Sequence, residues 1–207
     1  SLETALLAAR QRLLSDVGQL DWAALQLYAR PEDGDDTRPL VIRPYRGLLA
    51  FQPEHGRLFF GRTREIAEIL DDLARLKTAH APRLLVVAGA SGTGKSSLVR
   101  AGAVPDILAT QGGAWEHAII RPGIDPLGTL EAALAGRTSP ERWLLLVVDQ
   151  FEEIFTHTRD REVRLAFARR LWAVAREDTN VACILSLRVD FLGRCGELRL
   201  DEAGTRL

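Results

Sequence analysis

Eight consecutive residues, Gly89-Ala90-Ser91-Gly92-Thr93-Gly94-Lys95-Ser96, set glycines, a lysine and a hydroxyl at the spacing G-x-x-x-x-G-K-[ST]. Glycine tolerates the backbone angles that let successive N–H groups curl inward around an anion. A helix that starts just after the last glycine adds the positive end of its dipole to the same anion. The chemistry such a loop performs is to hold the phosphates of a nucleoside triphosphate. Lys95 would reach the β- and γ-phosphates, and the Ser96 hydroxyl would ligate Mg²⁺. Gly89, Ser91, Gly92, Thr93, Gly94, Lys95, Ser96 and Ser97 are the candidate phosphate-binding residues. The chain holds 25 arginines but only two lysines, at 77 and 95, so a lysine falling on the pattern's lysine position narrows the room for coincidence.

A second group lies about 55 residues downstream, where an apolar run over 144–148 ends in a single carboxylate, Asp149. A buried strand that delivers an acid at its carboxyl edge is where a Walker B aspartate holds Mg²⁺ or its water shell. Ser96 and Asp149 are thus the metal candidates. Glu152 and Glu153 follow as candidates to orient or deprotonate an attacking water; the alternative is a solvated acidic helix start. Ser186-Leu187-Arg188 closes the next apolar run. Open α/β sheets bind ligands at the carboxyl ends of their strands, so Arg188 either meets γ-phosphate charge or pairs with Asp190. The histidines at 55, 80, 117 and 157 show no ligand spacing, and Cys183 and Cys195 read as buried reduced thiols.

The elements that must position these groups alternate along the chain. Apolar runs predict strands over 84–88, 117–121, 143–148 and 181–187. Between them, helical spacing starts at Thr63 as N-cap, with Ile66, Ile69, Leu70, Leu73 and Leu76 on one face. It resumes from Lys95 until Pro105 interrupts it, and again over 127–135 and 162–175. Strands with near-continuous apolar runs separated by helices indicate an α/β fold of parallel βα units, with helices on both faces of the sheet.

Residues 1–30 read as helical with a break at Gly18, and the polar stretch around Pro31 to Asp36 reads as a linker. The expected division is residues 1–38 as an N-terminal helical extension or linker and 39–207 as a P-loop NTPase domain truncated at its C-terminus. A chain that begins at Ser1 and has no methionine reads as an excised piece of a longer protein. A net charge of −1 argues against an electrostatic nucleic-acid binder. The apolar runs fall far short of the roughly 20 residues that span a bilayer. The expectation is a cytoplasmic domain with no membrane partner. With no Asn-Lys-x-Asp element to read guanine, ATP (or ADP) is favoured over GTP as the bound nucleotide.

Taken together, Phe59-Phe60-Gly61-Arg62, the loop with its continuation Ser97-Leu98-Val99-Arg100-Ala101-Gly102, Val147-Val148-Asp149-Gln150-Phe151-Glu152-Glu153, and Leu187-Arg188-Val189-Asp190-Phe191 resemble the novel STAND group of bacterial signal-transduction ATPases. Tyr45-Arg46-Gly47-Leu48 with Phe51 is similar to that group's lead-in. The likeness spans roughly residues 44–197. It implies an AAA+-like fold with sheet order 2-3-4-1 and a fifth strand beyond the end of the chain. It also implies that Gly61 and Arg62 frame the nucleotide base, although Thr63 stands where the group usually carries glutamate. Gln150 occupies the position of the AAA+ catalytic glutamate, and the downstream pair takes over that role. By this resemblance Glu153 is the acid for the water, hydrolysis is slow, and the domain is a switch that self-associates between effector and sensor domains. The competing reading is a self-contained P-loop enzyme, an AAA+-type motor or a small-molecule kinase. No Arg-rich lid for a kinase acceptor is found between Asp149 and the last strand.

Overall fold

The computed structural model describes residues 49–79, 81–110, 113–201 and 204–206. The expectations for the extension over 1–38 and for the lead-in at Tyr45-Arg46-Gly47-Leu48 lie outside the described residues. A 3₁₀ turn (Pro53–Leu58) precedes helix α1 (Thr63–Thr78) and strand β1 (Leu84–Gly89). After the glycine loop come α2 (Lys95–Ser97), a π turn (Leu98–Ala103), α3 (Val104–Thr110) and β2 (Trp115–Ile120). Next are α4 (Pro126–Ala135), β3 (Trp143–Val148), α5 (Glu153–Thr156), α6 (Arg161–Glu177) and β4 (Val181–Arg188). A 3₁₀ turn (Val189–Phe191) and α7 (Leu192–Cys195) close the described elements.

The four strands form one parallel sheet in the order β1-β4-β3-β2, which read from its other edge is the expected 2-3-4-1. Parallel pairing needs a crossover between strands, and each crossover here carries helix. The apolar runs of β3 and β4 point alternately to the two sides of the sheet. Leu144, Leu146, Val148, Val181, Cys183, Leu185 and Leu187 bury against Leu130 of α4 and Leu165, Phe167 and Leu171 of α6. Leu145, Val147, Ala182 and Ile184 bury against Ile69 and Leu73 of α1, and against Val99 and Ile107 on the loop-following helices. Helix, sheet and helix make three layers, as the α/β reading required.

Boundaries differ in instructive ways. Strand β2 begins at Trp115 and ends at Ile120, so it runs earlier than 117–121. The cause is Trp115, which pairs with Trp143 across the ladder and stacks on it at 5.0 Å. Lys77, the second lysine, lies with its Nζ 4.4 Å above the Trp143 ring, a packing role that leaves Lys95 as the lysine for chemistry. Thr63 opens α1, but the cap position belongs to Arg62, which makes no side-chain cap bond.

Pro105 does not interrupt the helical run. Val104 N–H reaches Val99 O five residues back, which closes the π turn and restarts the helix. Pro105 then falls in the first turn of α3, where its missing N–H is no loss. Strand β1 departs from full burial: Val86 is 37% exposed, because β1 is an edge among the described strands and the helices on that side pack over β2 and β4.

Candidate functional site

The glycine loop joins β1 to α2 at the carboxyl edge of the sheet. Gly92 and Gly94 adopt φ of +77° and +83°, the left-handed region that side chains resist, and so the chain turns tightly here. Lys95 Nζ donates to Ala90 O at 2.8 Å, and Thr93 Oγ1 donates to the same carbonyl at 2.9 Å. The lysine charge therefore rests on the loop, away from the core. Ser91 is exposed at the loop tip. The Ser97 hydroxyl accepts the Phe51 N–H at 3.1 Å, which ties the segment before the first 3₁₀ turn to the start of the helix. Gly61 turns with φ +84°. Arg62 then extends Nη2 to Thr93 O at 3.3 Å and Nη1 to Glu65 Oε1 at 2.8 Å, which brings Gly61 and Arg62 against the loop.

Asp149 follows β3 and is fully buried. A carboxylate there needs partners for both oxygens. Its Oδ1 accepts the Ser96 hydroxyl at 2.8 Å and the Ser186 hydroxyl from β4. Its Oδ2 accepts Arg100 Nη2 at 2.6 Å, with Arg121 Nε 4.0 Å away. The two metal candidates, Ser96 and Asp149, are thus in direct contact although 53 residues apart. The parallel order brings the ends of β1 and β3 to one edge on either side of β4, and the Ser186 hydroxyl of β4 donates to the same carboxylate oxygen as Ser96.

Beyond Asp149 the chain reverses. Gln150 has φ +56°, the one left-handed non-glycine residue among those described, a strained conformation of the kind that gathers at functional sites. Its N–H donates to Ser186 Oγ at 3.0 Å, and Phe151 N–H donates to Ser186 O at 2.9 Å. Phe151 and Ile154 are buried anchors and turn the two acids outward from them. Glu152 Oε2 accepts Arg188 N–H at 3.2 Å, and Glu153 Oε2 accepts Gly123 N–H at 3.1 Å. Each acid therefore braces one loop of the edge.

Arg188 lies beside Gly89 in the β1–β4 register. Its guanidinium forms a two-pronged pair with Asp190, Nε at 3.1 Å and Nη2 at 2.7 Å, and lies over the Phe191 ring. Hydrogen bonding from Arg188 holds the Asp190 carboxyl below its ordinary range. The pairing with Asp190 is the alternative that the sequence left open, and here it is the arrangement observed.

Sequence reasoning gave no role to Arg100, Arg121, Gln52 or the Ser186 hydroxyl. A signal for Arg100 existed: one arginine stands inside the otherwise apolar stretch from Leu98 to Val104, and a charge there must find a partner. Nothing in the sequence marks Arg121 apart from its place after an apolar run.

Among the described residues no cluster of three or more His, Cys, Asp or Glu could hold a metal, and no helix is long and apolar enough to cross a membrane. The donor set at Ser96 and Asp149 nevertheless fits Mg²⁺, which takes hard oxygen ligands and binds through one or two protein groups plus phosphate oxygens and water. The tight glycine turn thus lies beside a hydroxyl and a buried carboxylate at the carboxyl edge of a parallel sheet, where open α/β sheets bind their ligands. The model of the Novel STAND NTPase 1 family matches residues 44–205, and the chain belongs to that family. It is accordingly a nucleotide-binding NTPase domain. Among solved structures, PCH-2 of C. elegans is similar at 12% identity and a TM-score of 0.44, over 75% of this chain and 41% of that one. No curated protein matches.

Proposed function

We propose that this domain binds ATP with Mg²⁺, hydrolyses it slowly, and works as the nucleotide switch of a multidomain bacterial signalling or defence protein. The observation that carries this reading is the contact of Ser96 Oγ with Asp149 Oδ1 at 2.8 Å. It joins the hydroxyl of the Walker A loop to the acid of the Walker B strand, the pair that P-loop NTPases use to hold the metal. Gly89, Ser91, Gly92, Thr93, Gly94, Lys95 and the backbone at Ser97 cradle the phosphates. Gly61 and Arg62, lying against Thr93, border the base.

In this reading Glu153 takes the proton of the attacking water, Glu152 holds the end of β4, and Arg188 answers the γ-phosphate by exchanging its pair with Asp190 for phosphate charge. Residues 39–207 form the NTPase domain, and 1–38 connect it to an effector. ATP favours self-association, and return to ADP resets it. Family membership supports the nucleotide; the amide Gln150 beside Asp149, in place of an acid, supports slow turnover. The test is single-turnover hydrolysis of ATP and of GTP with Mg²⁺, with the mass of the particle followed in parallel. The expected result is ATP preference, turnover on the scale of minutes or slower, and a larger particle with ATP than with ADP. Fast multiple turnover at constant mass overturns the switch.

A further inference from the structure

Arg100 is a buried charge, among the described residues, to which the nucleotide reading above gives no task. It is 7% exposed. Its Nη2 lies 2.6 Å from Asp149 Oδ2 and its Nη1 3.1 Å from Gln52 Oε1. Its Nε is buried with no acceptor among the described residues, so the side chain accepts an unmet bond in order to reach Asp149. A guanidinium is worth burying only against a carboxylate in good geometry. Gln52, just before the first 3₁₀ turn, fixes the other prong and keeps the fork aimed.

We propose that Arg100 is a built-in counter-charge that positions Asp149 and limits how strongly this site takes a divalent cation. The inference rests on the reading of Asp149 as the Mg²⁺ acid given above. Oδ2 is taken by the guanidinium, which leaves Oδ1, with Ser96 beside it, as the oxygen that would serve a metal. A full positive charge a few ångströms beyond the carboxylate opposes Mg²⁺ in a poorly solvated pocket. Asp149 alone is then a weak metal site, and the cation enters with the nucleotide, whose phosphates supply the missing negative charge. Arg100 makes metal loading conditional on nucleotide.

The test measures ADP affinity of the full chain by calorimetry with and without Mg²⁺; the ratio is the metal coupling. Thermal melting is recorded with Mg²⁺ alone. In Arg100→Met the coupling rises about tenfold, because one opposing charge is gone while both serine hydroxyls still orient Asp149. Mg²⁺ alone, without effect on the unaltered chain, then raises the melting temperature of this variant. Arg100→Lys keeps the charge and stays within about twofold of the original coupling. A merely structural Arg100 would lower melting equally with and without Mg²⁺ and leave the coupling constant in every variant, which overturns the proposal. If Arg100→Met does not fold even with Mg²⁺ and ADP, Gln52→Leu decides. It loosens one prong, and the coupling rises by about threefold; an unchanged ratio again overturns it. If the unaltered chain binds ADP with no dependence on Mg²⁺, the metal reading of Asp149 fails first and takes this inference with it.

Discussion

Lys95 keeps its ammonium on the Ala90 carbonyl within its own loop, so removing it leaves the core untouched. In Lys95→Ala nucleotide affinity is expected to fall on the order of 100-fold, the scale of lost charge-assisted bonds. Melting without nucleotide should stay within about 2 °C, as for a surface change. Calorimetry and melting check the two halves separately. Glu152 and Glu153 differ by one position and by what they brace: the N–H of Arg188 for the first, that of Gly123 for the second. A glutamine amide oxygen accepts either bond, so both substitutions spare the loops. On the proposed assignment only the general base is lost in Glu153→Gln, which should lower single-turnover hydrolysis on the order of 100-fold with ATP binding intact. A large loss in Glu152→Gln with none in Glu153→Gln would move the role by one residue.

Strands were legible as elements because their apolar runs are long and end sharply, at Asp149 for β3 and Arg188 for β4. What periodicity misses is context. The run in β1 reads like that in β3, yet Val86 faces solvent since its strand lies at an edge of the described sheet. The π turn is invisible to a 3.6-residue period, which is why Pro105 reads as a stop when it is a restart. The P-loop is legible because its chemistry is local, whereas the partners of Asp149 come from three other elements and need the strand order to bring them together. Cys183 on β4 shows how burial speaks through pH. Desolvation pushes its thiol up to about 12 from an ordinary 9.0. Above pH of about 9 the unfolded chain releases this proton and the native chain keeps it, so the native state binds more protons and stability falls as pH rises toward 12. Below pH of about 9 the contribution is constant. Between pH 8 and 10, urea unfolding should show the unaltered chain losing on the order of 1 kcal/mol relative to Cys183→Ala. Equal pH dependence would mean that the thiol ionises in the folded state.

At the largest scale, the described residues bury both sides of one sheet in three layers, and a ligand that binds this native fold at the sheet's edge adds to its stability. A ligand that binds only the native state raises stability by about 2.7 kcal/mol at a hundred times its Kd. For a domain of this size each kcal/mol moves the melting temperature by about 2 to 4 °C. Mg²⁺ with ADP at that excess should raise melting by roughly 5 to 10 °C. Lys95→Ala should melt where the unaltered chain melts without nucleotide and, with affinity about 100-fold weaker, rise by only about 1 to 2 °C at the same ADP concentration. Mg²⁺ with ATP should give a rise of its own, which decays to the ADP value as hydrolysis proceeds and persists in Glu153→Gln. That decay separates a switch from a static binder, because the two nucleotides then mark two states of one fold and the γ-phosphate, held by the same edge, decides between them. An ATP rise that equals the ADP rise from the first scan would mean the domain does not distinguish them. A rise absent for both would remove the nucleotide site itself, whatever the loop resembles.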